Sequence, residues 1–257
     1  MRLPVLLCAI VATALALPVG ATAASSCSYD VANATVQAQM LSPHVVIANA
    51  GDGTILVDGH ACTSPEQGAV VATVATACQV VVASAFSPAA DTVVVDESHG
   101  RLADPATGNR PKVFALTGGG GDTMKVIGTG GRDRYVAHDD LGASIDLDGD
   151  GDPDFVSTDL ARVVMLGMAG DDTLAAAAGP GDRMSHRAEL YGGAGNDVLR
   201  GGRSGRDRLD GGPGNDRVLD PGAPGDRLLG GGGFDTVRAD AGDLAGGFER
   251  AEPRRQP

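Results

Sequence analysis

Five aspartates near the C-terminus, Asp197, Asp207, Asp216, Asp226 and Asp235, follow one another at steps of 10, 9, 10 and 9 residues. Every second one is therefore 19 residues away, and each has an apolar residue two positions later: Leu199, Leu209, Val218, Leu228 and Val237. If such a series stacks at the spacing of neighbouring strands, about 4.8 Å, two bare carboxylates repel by roughly 3–4 kcal/mol at an effective dielectric near 20. A cation between them reverses the sign. Ca²⁺ takes 6–8 oxygen ligands at about 2.3–2.6 Å, so two ligands on opposite sides of one ion sit about one strand spacing apart. Mg²⁺ suits the geometry poorly, because it demands a tighter octahedron and keeps its waters.

The elements that would position these carboxylates follow from the residues between them. Gly192-Gly193-Ala194-Gly195-Asn196-Asp197-Val198-Leu199-Arg200 reads G-G-x-G-x-D-x-U-x, with U a large apolar residue, and 211–219 reads the same way. The unit at 201–209 keeps the pattern with one inserted residue, and looser copies surround Asp226 and Asp235. About six turn residues and a three-residue strand make half a coil. Two units make one turn of a flattened solenoid, with Asp197, Asp216 and Asp235 on one edge and Asp207 and Asp226 on the other. The U residues fill the narrow interior, and the glycines allow φ > 0 and close backbone approach. The shorter D-x-U unit recurs at Asp122/Met124, Asp133/Tyr135, Asp172/Leu174 and Asp182/Met184, which marks a repeat array.

The chain resembles the hemolysin-type (RTX) calcium-binding repeat proteins of the exported bacterial type. That resemblance implies a parallel β-roll with Ca²⁺ between turns n and n+2, and the sixth-position aspartates 197, 207, 216, 226 and 235 as ligands. The family's turn glycines fall on Gly192, Gly193, Gly195, Gly201, Gly202, Gly205, Gly211, Gly212 and Gly214. Pro224 and Pro180 stand where a fourth-position glycine belongs, so the turns of Asp226 and Asp182 are expected to bind weakly or not at all. Cys27-Ser28-Tyr29-Asp30 and the tail 235–250 are similar to the opening segment and the end cap of such proteins.

A second acidic run, 146–154, places Asp146, Asp148, Asp150, Asp152 and Asp154 at positions 1, 3, 5, 7 and 9 of a loop with Gly151 at position 6. Position 12 is Ser157, where an EF-hand carries its bidentate Glu. The reading is a calcium loop of another kind, with Asp146, Asp148, Asp150 and Asp154 as ligands. The alternative is a solvated acidic turn between coils.

The N-terminus begins Met1-Arg2, continues through an apolar run over 3–19 and ends in small residues around Ala23-Ala24. This is the pattern of a Sec-type signal peptide. The run is too short to span a bilayer, so export without membrane insertion after cleavage is expected. Export permits a disulfide. Cys27 and Cys62 lie in turn-like surroundings and are the expected pair, whereas Cys78 follows an apolar stretch that would bury it. Zinc is disfavoured, since no C-x-x-C pair or matching histidine pattern exists.

Composition agrees. Of 33 acidic residues 28 are Asp, the short carboxylate suited to turns and metal loops. A formal charge of −13 disfavours nucleic acid and anionic lipid and favours cations. Arg outnumbers Lys 18 to 2, which with abundant Ala and Gly hints at a high-GC bacterial genome. Aromatics are 3%, so thin strand layers are expected and a thick core is not. The expected organisation is an all-β chain: signal peptide 1–24, a β-rich region 25–116, degenerate repeats 117–190, a β-roll over 191–250 and a tail 251–257.

No H-E-x-x-H or G-x-S-x-G motif is present. Asp96-Glu97-Ser98-His99 sets acid, nucleophile and base types side by side, but neighbours in a strand face opposite ways and form no triad by themselves. The expectation is a secreted, non-enzymatic Ca²⁺-binding protein. The alternatives are a secreted hydrolase carrying the roll as a folding aid, or a cell-surface adhesin. No protein or surface partner can be named from the sequence.

Overall fold

The computed structural model describes residues 25–65, 69–84, 90–117, 119, 121–138, 143–157, 160–176, 186–220 and 222–253. The signal-peptide segment and the Asp182 unit lie outside them. Among the described residues there is no helix, and two long sheets face each other. One sheet orders Ser26–Asp30, Thr35–Met40, Gln79–Ser84, Lys112–Leu116, Phe155–Ser157, Ala143–Asp146, Arg134–His138, Thr173–Ala175, Val198–Arg200, Arg217–Leu219, Thr236–Arg238 and Arg250–Ala251. The other orders Leu244–Gly246, Arg227–Gly232, Arg208–Pro213, Arg187–Ala194, Leu160–Ala169, Asp122–Ile127, Thr92–Asp96, His44–Asn49, Ile55–Val57 and His60–Ala61.

The repeat region alternates between the sheets every nine or ten residues. Leu190 pairs with Leu209 and Leu209 with Leu228 on one side; Leu199 pairs with Val218 and Val218 with Val237 on the other. Both rows face inward and are buried. The fold is an all-β parallel roll whose period of 19 is one full coil. Most pairings are parallel because each coil advances one strand per sheet; antiparallel pairs occur at local hairpins such as Arg134–His138 with Ala143–Asp146.

The same sheets continue through 25–116 without a break. One inward row runs Ile47, Val95, Val126, Met165, Leu190, Leu209 and Leu228, each paired with the next, and ends where Leu228 pairs with the exposed Ala245. In the N-terminal coils a second inward residue joins it: Val45, Val93, Met124 and Val163. At about 1.5–3 kcal/mol per buried side chain, those coils gain far more from apolar burial than coils with one large inward residue per strand. Cys27 and Cys62 are disulfide-bonded, with Cα atoms 5.3 Å apart. Cys78 is free and half-buried. The strand it was expected to occupy begins one residue later, at Gln79, which leaves the thiol at the strand entrance.

Candidate metal centre

Each sixth-position aspartate precedes a short strand, so its side chain turns back along the edge of the roll. One edge carries Asp133, Asp172, Asp197, Asp216 and Asp235 in a column. In each step Oδ1 accepts the backbone N–H of the preceding member: Asp172 from Asp133 at 2.7 Å, and Asp197, Asp216 and Asp235 from Asp172, Asp197 and Asp216, each at 2.8 Å. Glu249 ends the column by accepting the Asp235 N–H at 2.7 Å.

The second oxygen behaves differently. Oδ2 of Asp172, Asp197, Asp216 and Asp235 is buried and accepts no hydrogen bond from the described residues. A buried anionic oxygen without a donor is costly, on the order of several kcal/mol, unless a positive charge meets it. Burial accordingly pushes the carboxyls of Asp172, Asp197 and Asp216 up, Asp172 to about 7 and Asp216 to about 6, with like-charged neighbours in the column adding to the effect at Asp172 and Asp216.

The first glycine of each unit makes room for this oxygen. A Cβ on Gly211 would collide with Asp216 Oδ2 and stand 2.5 Å from the Gly230 carbonyl oxygen. A Cβ on Gly192 would collide with Asp197 Oδ2 and stand 2.6 Å from the Gly211 carbonyl oxygen. Each point therefore has a carboxylate of one coil and a carbonyl of the next beside it, an all-oxygen donor set of the kind hard cations take. The carbonyls of Gly193 and Gly195 adjoin the next coil's Gly212 and Gly214, where a Cβ would clash with them; the carbonyls of Gly212 and Gly214 repeat this one coil later. Gly212 itself has φ +102°, a conformation closed to most side chains.

The other edge is less regular. Asp226 Oδ1 accepts the Asp207 N–H at 2.6 Å, which places the two in register. Asp207 is saturated, however: Oδ1 accepts from Ala188 N–H and the Ser204 hydroxyl, and Oδ2 from Gly202 N–H. Further members are Asp243, whose Oδ1 accepts the Gly225 and Asp226 N–H groups, and, nearer the N-terminus, Asp122, whose Oδ1 accepts the Asp91 N–H at 2.8 Å. Asp91 and Asp243 escape a motif search because neither follows the glycine pattern. Asp91 does have Val93 two residues on, the D-x-U signal in its barest form.

The 146–154 loop brings three of its four expected ligands together. It joins antiparallel strands Ala143–Asp146 and Phe155–Ser157, and Asp146, Asp148 and Asp154 converge with oxygens within 4.8 Å of one another. Asp150 is not among them; its Oδ1 accepts the Asp152 N–H on the exposed side. Protein cations already serve the inward group: Lys112 Nζ lies 3.0 Å from Asp154, and Arg110 Nε lies 3.7 Å from Asp154 and 3.9 Å from Asp148.

Glycine turns stacked coil on coil, with buried carboxylates beside carbonyls at each step, have the form of a calcium-binding β-roll. The RTX calcium-binding nonapeptide repeat matches residues 148–180, 191–219 and 225–243, in four copies. Those segments are RTX-type calcium-binding repeats, which supports Ca²⁺ as the ion they take. No curated protein and no solved structure matches the chain.

Proposed function

We propose that this is an exported, non-enzymatic protein whose C-terminal coils are locked by Ca²⁺ held between neighbouring turns of the first edge. The residues that would hold it are Asp172, Asp197, Asp216 and Asp235 through Oδ2, with the carbonyls of Gly192, Gly211 and Gly230. The observation that carries this reading is the column of four buried carboxylate oxygens without donors among the described residues. Ca²⁺ supplies the charge they lack. Export is supported by the signal-like pattern over 1–24 and by the Cys27–Cys62 disulfide, which belongs in an oxidising compartment.

A non-enzymatic role is supported at the 96–99 segment. Ser98 Oγ lies 3.0 Å from His99 Nδ1 at the surface, but Glu97 is turned into the core, where it accepts from Arg110, the Tyr135 hydroxyl and the Leu102 N–H. Glu97 is thus committed to the core, and Asp96 Oδ1 accepts the Ser98 N–H in a local turn.

Thermal unfolding of the mature chain, titrated with Ca²⁺, tests the reading. The midpoint should rise with Ca²⁺, since a ligand bound only by the folded state stabilises it. Asp216→Ala, which borders two stacks, should lose about 2.7 kcal/mol of that stabilisation at a Ca²⁺ level near 100 times the dissociation constant of one lost site. Asp182→Ala should lose less. A midpoint indifferent to millimolar Ca²⁺ would falsify the reading.

A further inference from the structure

On the second edge the turn between Leu219 and Arg227 breaks the glycine pattern. Gly201 N–H donates to the Leu219 carbonyl, and one coil later Asp220 N–H donates to the Arg238 carbonyl, both at the end of a short strand. Asp220 therefore stands one coil below Gly201, at the first position of the unit, where the repeat otherwise has glycine. It also lies between the matched segments 191–219 and 225–243.

The side chain that replaces the missing hydrogen points inward. Asp220 and Asp226 are 1% and 0% exposed. Asp220 Oδ1 accepts the Gly222 N–H at 3.0 Å and Asp226 Oδ1 accepts the Asp207 N–H, while Oδ2 of each is buried and receives no N–H or O–H from the described residues. Asp243 approaches from the following coil, its Oδ1 accepting the Gly225 and Asp226 N–H groups and its Oδ2 the Asp240 N–H, and ligand oxygens of all three residues lie within 4.8 Å of one another. The Gly202 carbonyl is at hand too: a Cβ on Gly222 would stand 2.6 Å from it and 3.0 Å from Asp220 Oδ1. The contrast with Asp207 is informative. Its glycine turn satisfies both of its carboxylate oxygens from the backbone and Ser204, whereas the Asp220 turn leaves two buried oxygens of different residues facing each other.

We propose that Asp220, Asp226 and Asp243 form a three-carboxylate site for a hard divalent cation of the calcium class, built by the aspartate at a glycine position. The inference rests on the reading that this roll holds Ca²⁺ between its turns. It differs in assigning a third anionic ligand, with Asp220 and Asp226 from one turn and Asp243 from the next coil, at the proline-containing turn where the repeat pattern alone would place the weakest site. A site with three carboxylates binds a divalent cation more tightly than one with two, because ligand charge sets affinity in flexible all-oxygen sites.

Isothermal titration of the chelator-stripped mature chain with Ca²⁺ decides it. The wild type should show a tight binding event that Asp220→Gly and Asp220→Asn each weaken at least tenfold, with the remaining events unchanged. Asp243→Asn must weaken the same event, and Asp197→Asn must leave it alone. Far-UV circular dichroism at saturating Ca²⁺ checks that each variant folds, and the near-isosteric Asn variants serve if the glycine variant does not. The proposal is overturned if the Asp220 variants titrate like the wild type, if Asp220→Gly binds more tightly by restoring the repeat pattern, or if Asp243→Asn acts on a different event. A wild type that takes up no Ca²⁺ would instead overturn the reading on which the inference rests.

Discussion

The N-terminal and C-terminal coils of this roll solve one electrostatic problem in two ways. Both stack polar groups along the edges of the same two sheets. In the N-terminal part the protein supplies its own partners. Gln79 Nε2 donates to Thr35 Oγ1 at 2.9 Å, Lys112 pairs with Asp154, and Arg101 Nη2 reaches Asp133 at 2.8 Å. In the C-terminal part Asp172, Asp197, Asp216 and Asp235 each keep a buried oxygen without a donor. Asp133 marks the changeover, since it heads the aspartate column yet meets an arginine. The N-terminal half meets several of its carboxylates with its own cations, although Asp91 and Asp122 also keep a buried Oδ2 without a donor among the described residues, and the C-terminal column takes its cations from solution.

Calcium removal should separate the halves most sharply. The N-terminal coils have two inward apolar residues per strand and the Cys27–Cys62 link, which closes 35 residues of sequence. Backbone amides of strands such as Arg208–Pro213 and Thr236–Arg238 should lose hydrogen-exchange protection by orders of magnitude in chelator. Those of His44–Asn49 and Gln79–Ser84 should keep theirs. Uniform loss across both halves would show that the roll unfolds as one unit and erase the contrast.

Acidity gives the next largest effect and its sign is fixed by the column. Burial, with like charges nearby for Asp172 and Asp216, raises Asp172 to about 7 and Asp207 and Asp216 to about 6, from an ordinary value near 4. The folded state thus holds protons that the unfolded state has released. Without Ca²⁺, stability should be greatest below about pH 4 and fall as pH rises through 6 to 7. With Ca²⁺ the trend should reverse, because the ion requires carboxylates. Melting at pH 5 and pH 8, with and without Ca²⁺, checks whether the two curves cross.

The built-in cations offer a smaller, local test. Arg110 is buried beside Glu97 and near Asp154, and although burial opposes its charge these carboxylates hold its pKa above the usual value. Arg110→Met strands Glu97 in the core and should cost about 3–5 kcal/mol. The loss should be the same with and without Ca²⁺. A loss that Ca²⁺ repairs would mean that the 146–154 loop takes the ion after all, with Arg110 merely standing in its place.

The difference between the halves also explains what could be read beforehand. The 19-residue period made the Asp197, Asp216 and Asp235 column and its inward leucines and valines legible, because nothing interrupts three successive coils. Asp172 and Asp133 belong to the same column but lie 25 residues before Asp197 and 39 residues before Asp172, the latter gap holding the hairpins around Ala143–Asp146. The N-terminal coils were legible as strands but not as roll, since Ile47, Val95, Val126 and Met165 are unevenly spaced. Arg101 and Arg110 were invisible as surrogate cations because they arrive from a long connection, and only folding shows which carboxylate they meet. Asp220 was passed over for the opposite reason: it occupies the slot where a pattern reader looks for glycine.

The smallest effect concerns the fifth position, just before each edge aspartate. Asn196 N–H donates to Asp171 Oδ1, Asn215 N–H to Asn196 Oδ1 and Phe234 N–H to Asn215 Oδ1, each at 2.8–2.9 Å. This outer ladder runs beside the carboxylate column but is exposed and neutral from Asn196 onward. It ends at Phe234, whose ring has no oxygen to offer the next coil. Asn215→Ala removes one acceptor and should cost about 1 kcal/mol, the net worth of a typical hydrogen bond, while Ca²⁺ affinity stays at the wild-type value. Asp216, the next residue, should do the reverse and act chiefly through Ca²⁺. If Asn215→Ala weakened Ca²⁺ binding as strongly as Asp216→Ala does, the outer ladder would be shaping the site, and turn rigidity would have to join charge in explaining why the C-terminal coils need the ion.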